Sequence, residues 1–260
     1  PLNDTIRGLF FIFFPIVFFL GFFLNLNKQL ISTKIFQKNK SSSNRNTKYL
    51  CYILITFSIL EFFNLNYKNF TGGLDVHHEG TFLTAQLNFL NKNGIWTGTL
   101  FDYGFLGNSI GIFFKFVFND YSIGIQRFSF KFLILVNKIL IILICRKIII
   151  NLNSSNQKEI IFLILSLSAL TLANFYENVT PFHPRIFIYL IFTLLVFNII
   201  TCERNNIFNL FIIGFFSLFG LLFYWDIGTY INILLIFLLI YLFLIKRFND
   251  FIKIFLSIIV

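Results

Sequence analysis

Long apolar runs separated by short polar strings dominate the chain. Runs of spanning length occur at about 8–26, 48–63, 128–145, 160–176, 186–201, 207–224 and 230–245, and another begins at 251. Crossing a bilayer takes about 20 helical residues, so the pattern predicts about seven complete spans and one truncated span. These runs lack the period-two alternation of an outer-membrane barrel, and open strands cannot satisfy their backbone in lipid. The expected fold class is therefore all-α, a polytopic transmembrane helix bundle forming a single domain over 1–260.

Between 64 and 127 the pattern changes. From Gly80 to Lys92, apolar Phe82, Leu83, Leu87 and Leu90 recur at helical spacing against Thr84, Gln86, Asn88 and Asn91. That predicts an amphipathic helix lying at a membrane interface. A second apolar element, Phe105 to Phe118, is interrupted by Gly107 and Gly111 and carries Lys115. It reads as re-entrant or interfacial, and 64–127 as a whole reads as one long extracytoplasmic loop.

Basic residues orient the bundle. The Ser/Asn-rich connection with Lys28, Lys34, Lys38, Lys40, Arg45 and Lys48 is predicted to be cytoplasmic. Alternating from it puts Arg146, Lys147, Lys158, Arg204, Lys246, Arg247 and Lys253 on the same side. Asp75, Glu79, Asp102, Asp120, Glu177 and Asp226 then all fall outside, with Glu61 near the outer end of its span. Cys51, Cys145 and Cys202 lie near cytoplasmic helix ends, where thiols stay reduced, so no disulfide is expected. The expected location is a bacterial inner (cytoplasmic) membrane.

Composition agrees with this class: 57% hydrophobic residues, 12% charged and a mean hydropathy of +0.80 lie far from a soluble domain. The net charge of +10 is spread over short loops rather than gathered in a patch, which excludes nucleic acid as a partner and leaves membrane lipids. The 41 Phe read as lipid-facing filling rather than as ligand platforms. With no Met and an apolar run reaching Val260, the sequence is expected to be a piece of a longer chain, incomplete at both ends. No internal repeat, Walker loop, dinucleotide fingerprint or nucleophile elbow is present. Nor do two halves show matching Gly/Pro-broken spans of the kind that mark secondary transporters.

Candidate chemistry gathers in the outer segments. Asp75 follows Gly72-Gly73 and is placed to act as a general base, or alternatively as a helix N-cap. On a helix, Asp75, His78 and Glu79 would share one face, while His77 and His78 alone specify no metal. A divalent metal is compatible with this cluster and not required by it, and a merely polar loop is the other reading. Downstream, Asp102 and Tyr103 continue the segment. In the loop from Glu177 to Arg185, Pro181 and Pro184 stiffen the backbone around His183 and Arg185. Arg185 there suits bidentate phosphate binding, or snorkelling as an interfacial anchor. Asp226 sits in an aromatic belt of Tyr224, Trp225 and Tyr230. Arg127 and Lys131 lie near the outer end of the third span, and Lys138 near its middle, where a charge faces the bundle interior.

A span followed by a long outer loop with Asp75-Val76-His77-His78-Glu79-Gly80, an amphipathic helix and then Asp102-Tyr103-Gly104 resembles the GT-C-type multi-spanning glycosyltransferases. More closely, it is similar to bacterial membrane proteins that share an Asp-x-His-His-x-Gly outer loop. The resemblance covers roughly 48–150 by motif and the remainder as a helix pattern. It implies transfer of a sugar from a polyprenyl-phosphate lipid donor to an envelope acceptor at the extracytoplasmic face, with Asp75 catalytic. His77, His78, Glu79, Asp102, Tyr103, Arg127, Glu177, His183, Arg185 and Asp226 are then expected to bind substrate. The span at 8–26 precedes the helix that usually opens that fold, and the usual C-terminal part is missing. A transporter or non-catalytic envelope-assembly protein, and a polysaccharide polymerase or ligase, are the alternatives.

Overall fold

Helix Ile123–Asn151 is the element on which much of the structure is assembled. Its 29 residues extend roughly 43 Å at 1.5 Å per residue. The computed structural model describes residues 43–63, 80, 83–84, 86–88, 106, 109–151, 157–177, 183–201 and 207–259. Among them the secondary structure is entirely helical: α1 Ser43–Phe63, α2 Ser109–Phe118, α3 Ile123–Asn151, α4 Lys158–Glu177, a 3-10 turn His183–Ile186, α5 Phe187–Thr201, α6 Ile207–Phe223, α7 Trp225–Leu244 and α8 Phe248–Ile259. The first apolar run, 8–26, lies outside the described residues.

The all-α expectation holds, with informative differences at element ends. α3 overruns its apolar stretch at both ends. Arg146 and Lys147 are good helix formers, and Ile149 beyond them is buried, so the helix gains by continuing. Tyr224 to Thr229, expected as an outer loop, contains a break of one residue between α6 and α7. Tyr224 is extended there (φ −149°, ψ 119°), yet its N–H still reaches Gly220 O at 2.9 Å and its carbonyl accepts from Gly228 N at 2.8 Å. Gly220 and Gly228 make this possible: a Cβ on Gly228 would run into the backbone of Gly220 and Leu221.

Packing falls into two cores. α1, α3 and α4 enclose Cys51, Ile142, Cys145, Ile149 and Phe162, with both cysteines free. α5 to α8 enclose a larger apolar core that includes Phe192, Leu210, Ile213, Ile231, Leu238 and Ile254. α6 and α7 are also tied by a polar clamp, in which Ser217 Oγ donates to Asn232 Oδ1 at 2.5 Å and Asn232 Nδ2 donates to Ser217 O at 3.1 Å. α8 crosses α6 where Gly214 leaves no room for a side chain beside Ser257.

Two turns are closed by the same device. Asn119 (φ 48°) ends α2, with Asn119 N bonded to Phe116 O and Asp120 N to Lys115 O, the paired bonds of a Schellman cap. Asp120 then accepts from Ser122 N and Oγ at the start of α3. Lys246 (φ 60°) ends α7 in the same way, through Lys246 N to Phe243 O and Arg247 N to Leu242 O. Arg247 pairs with Asp250 and donates through Nη1 to Ile199 O at 3.0 Å, placing a cation where the carbonyls of α5 end.

The surface inverts the usual rule of burial. Phe116 is 75% exposed and Phe63 70%, and Phe57, Ile164, Phe208 and Leu218 also point outward. Meanwhile Ser58, Gln86, Lys115, Gln126, Asn137 and Lys138 are buried. α7 is the one helix among the described residues long and apolar enough to cross a bilayer, with a mean hydropathy of 2.4 over its apolar window. α2, α5 and α6 are shorter apolar helices.

Candidate functional site

The break at Tyr224 organises the one group of predicted site residues that the described structure brings together. Pro184 suits the first turn of a helix, where its missing N–H costs nothing, and the 3-10 turn His183–Ile186 leads directly into α5. This turn packs on α3 and carries Arg185 inward, to 5% exposure. The Arg185 guanidinium lies 5.4 Å from the centroid of the buried Tyr224 ring. Its Nη1 is 3.8 Å from Asp226 Oδ2, an ion pair too long to be a hydrogen bond.

Each part follows from local sequence. Because α6 and α7 are separated by a single extended residue, Tyr224 turns into the hairpin and Asp226 sits in the first turn of α7. A carboxylate there also interacts favourably with the positive end of the helix. Arginine stays protonated at any accessible pH, so the site holds a fixed positive charge backed by an aromatic face and offset by a half-exposed carboxylate. Leu106 N donates to Leu222 O at 2.6 Å, fastening the chain just ahead of α2 beside this group. Leu106 and Ile110 pack on the core that contains Tyr224.

The other candidates separate clearly. Asp75, His77, His78, Glu79, Asp102 and Tyr103 lie outside the described residues. Glu177 ends α4 and His183 opens the 3-10 turn, their side chains likewise outside the description. Arg127 stands near the start of α3, partly buried. Lys138 is buried and pairs with Glu61 Oε1 at 3.0 Å. In antiparallel helices side chains lean toward their own N-termini, so the two residues reach toward one another from α3 and α1. Among the described residues no three His, Cys, Asp or Glu side chains gather closely enough to hold a metal ion.

Sequence reasoning missed two features. Tyr224 was expected only as part of a belt, and its burial against Arg185 depends on a helix break that the sequence marks by Gly220 and Gly228 alone. A second set of polar residues is buried near here: Gln86 and Gln126 converge on Gly111, and Lys115 lies one turn further along α2. A polar residue within an apolar helix was its available signal. Burial pushes the Lys115 ammonium pKa down, and the nearby Asp120 charge offsets part of this. Compared with family models, curated proteins and solved structures, the chain matches none of them.

Proposed function

We propose that this protein is a polytopic membrane enzyme of the GT-C kind, transferring a sugar from a polyprenyl-phosphate donor at the extracytoplasmic face of a bacterial inner membrane. The inverted surface supports the membrane part. Apolar side chains of this size facing water would cost roughly 1.5–3 kcal/mol each, whereas in lipid they are the favoured exterior. On this reading α1 and α3 to α6 cross beside α7 as members of the bundle, their polar residues turned inward.

The observation that carries the catalytic part is the buried Arg185 against Tyr224 and Asp226, at the end of the bundle where Leu106 anchors the outer segment. A guanidinium in a low-dielectric setting suits a phosphate that gains charge as its bond to the sugar breaks. In the proposed reaction the acceptor hydroxyl oxygen bonds to the anomeric carbon as the bond from that carbon to the phosphate oxygen breaks. Asp75 takes the hydroxyl proton, polyprenyl phosphate leaves, and Arg185, with Arg127, offsets the phosphate charge.

Sugar transfer in membranes containing the full-length protein tests this. Asp75→Asn is expected to lower transfer by about 10²–10⁴-fold, and Arg185→Ala by about 10²–10³-fold, with expression and topology intact. Transfer at the wild-type rate by Asp75→Asn removes that residue from the mechanism.

A further inference from the structure

We propose a second ligand site, separate from Arg185, in which Lys115, Gln86 and Gln126 bind a phosphate group between α2, α3 and the helical residues 86–88. Lys115 and Gln86 are 0% exposed and Gln126 is 1% exposed. Lys115 Nζ, both polar atoms of the Gln86 amide and Gln126 Oε1 have no hydrogen-bond partner among the described residues. Leaving buried polar atoms unmade costs roughly 1–3 kcal/mol each, and more for a charged group, so three such side chains in one place need a common reason. By contrast, the buried Ser58 and Ser129 use their hydroxyls locally, Ser58 Oγ donating to Leu54 O at 3.0 Å and Ser129 Oγ to Gln126 O at 2.7 Å.

Gly111 explains how the two amides meet. Its missing side chain is where the two amides converge: a Cβ there would collide with Gln86 Nε2 and Gln126 Oε1. Lys115 follows one turn later on the same face of α2, about 6 Å along the axis. Rotating an amide by half a turn presents either its NH₂ or its carbonyl, so both glutamines can donate beside the ammonium. An ammonium flanked by amide donors, with the Asp120 carboxylate near but in no ion pair with it among the described residues, matches a tetrahedral oxyanion.

Beside this group the α2–α3 hairpin is aromatic. Phe114 packs on Phe128 and Phe132 at 5.4 and 5.2 Å between ring centroids, and Phe118 packs on Phe128 at 5.7 Å. The inference stands apart from sugar transfer, because it rests on residues to which that reaction gives no role.

Binding to the purified full chain in detergent tests it, by isothermal calorimetry and by native mass spectrometry. Three probes are compared: inorganic phosphate, lysophosphatidic acid and a monoacylglycerol with the same acyl chain. Saturable binding of lysophosphatidic acid without the monoacylglycerol identifies a lipid phosphate, and binding of inorganic phosphate identifies a free one. In either case Lys115→Met should weaken binding at least tenfold and Lys115→Arg should largely retain it. Lys115→Met removes a buried charge and is expected to fold, which its melting curve checks. Gly111→Ala serves as a second variant, filling the space between the amides and weakening the same binding. The proposal is overturned if neither phosphate probe binds, if the monoacylglycerol binds equally well, or if folded Lys115→Met and Gly111→Ala both bind as wild type does.

Discussion

The two halves of the molecule solve the same packing problem with different interiors. Of the ten buried polar or charged residues among those described, nine lie between Thr47 and Ser166, and Arg185 alone lies beyond. The core of α5 to α8 is instead built from Ile, Leu and Phe, with Gly214, Gly220 and Gly228 at its closest approaches. When the surroundings are apolar, burial of oil alone gives no reason for helices to associate, so contact must come from close packing or from polar pairing. The C-terminal half relies on the first. The N-terminal half relies more on the second; the Lys115 group lies within it, and Arg185 stands at the junction against Tyr224 and Asp226 of the C-terminal half.

Substitutions that change volume or charge can break this contrast. The largest effect is expected for Gly228→Ala, about 3 kcal/mol of destabilisation, because its new methyl meets helix backbone that cannot turn aside. Unfolding of the purified protein in mixed micelles measures it, and a loss below 1 kcal/mol would mean that the hairpin can open without penalty. Glu61→Gln comes next at about 2 kcal/mol, reduced from the full cost of breaking a buried pair because Glu61 is itself half-exposed. A Glu61→Leu/Lys138→Met double variant should regain most of that loss. An equal or greater loss in the double variant would assign the residues a packing role.

Asn232→Leu tests the exception, a polar clamp within the apolar half, and should cost about 1 kcal/mol. An unchanged midpoint would leave glycine packing as the sole tie between α6 and α7. The smallest change runs the other way. Lys246→Gly relieves a left-handed residue at the end of α7 and should stabilise by about 1 kcal/mol, read as a raised unfolding midpoint.

The helices were legible because the apolar runs among the described residues are long and uniform enough to survive errors at their ends. Their boundaries were less so. Capping by Asn119 and Lys246 depends on backbone geometry, and α3 continues through Arg146 and Lys147 because of burial further on. Arg185 and Asp226 were each readable as candidates from charge in an outer segment. Their meeting was not, since it depends on how α5 packs beside the α6–α7 hairpin across 41 positions of sequence. Gln86 shows the opposite failure. Helical periodicity put it on the polar side of its helix, away from Leu87, but could not say which side faces inward. The structure buries Gln86 and leaves Leu87 exposed.

The single-residue break at Tyr224 also bears on how the chain is made. On the proposed membrane reading, a ribosome feeding α6 and α7 into a bilayer has almost no loop to push through, so the pair would enter as one hairpin. From Ile207 to Leu244 the only formally charged side chain is Asp226. Carrying it past the membrane centre would meet a barrier of roughly 2.5–3.5 kcal/mol, small enough for an apolar hairpin to drag along. Since α5 is synthesised first, Arg185 would already be waiting, and docking with Asp226 would lock the hairpin at its final depth.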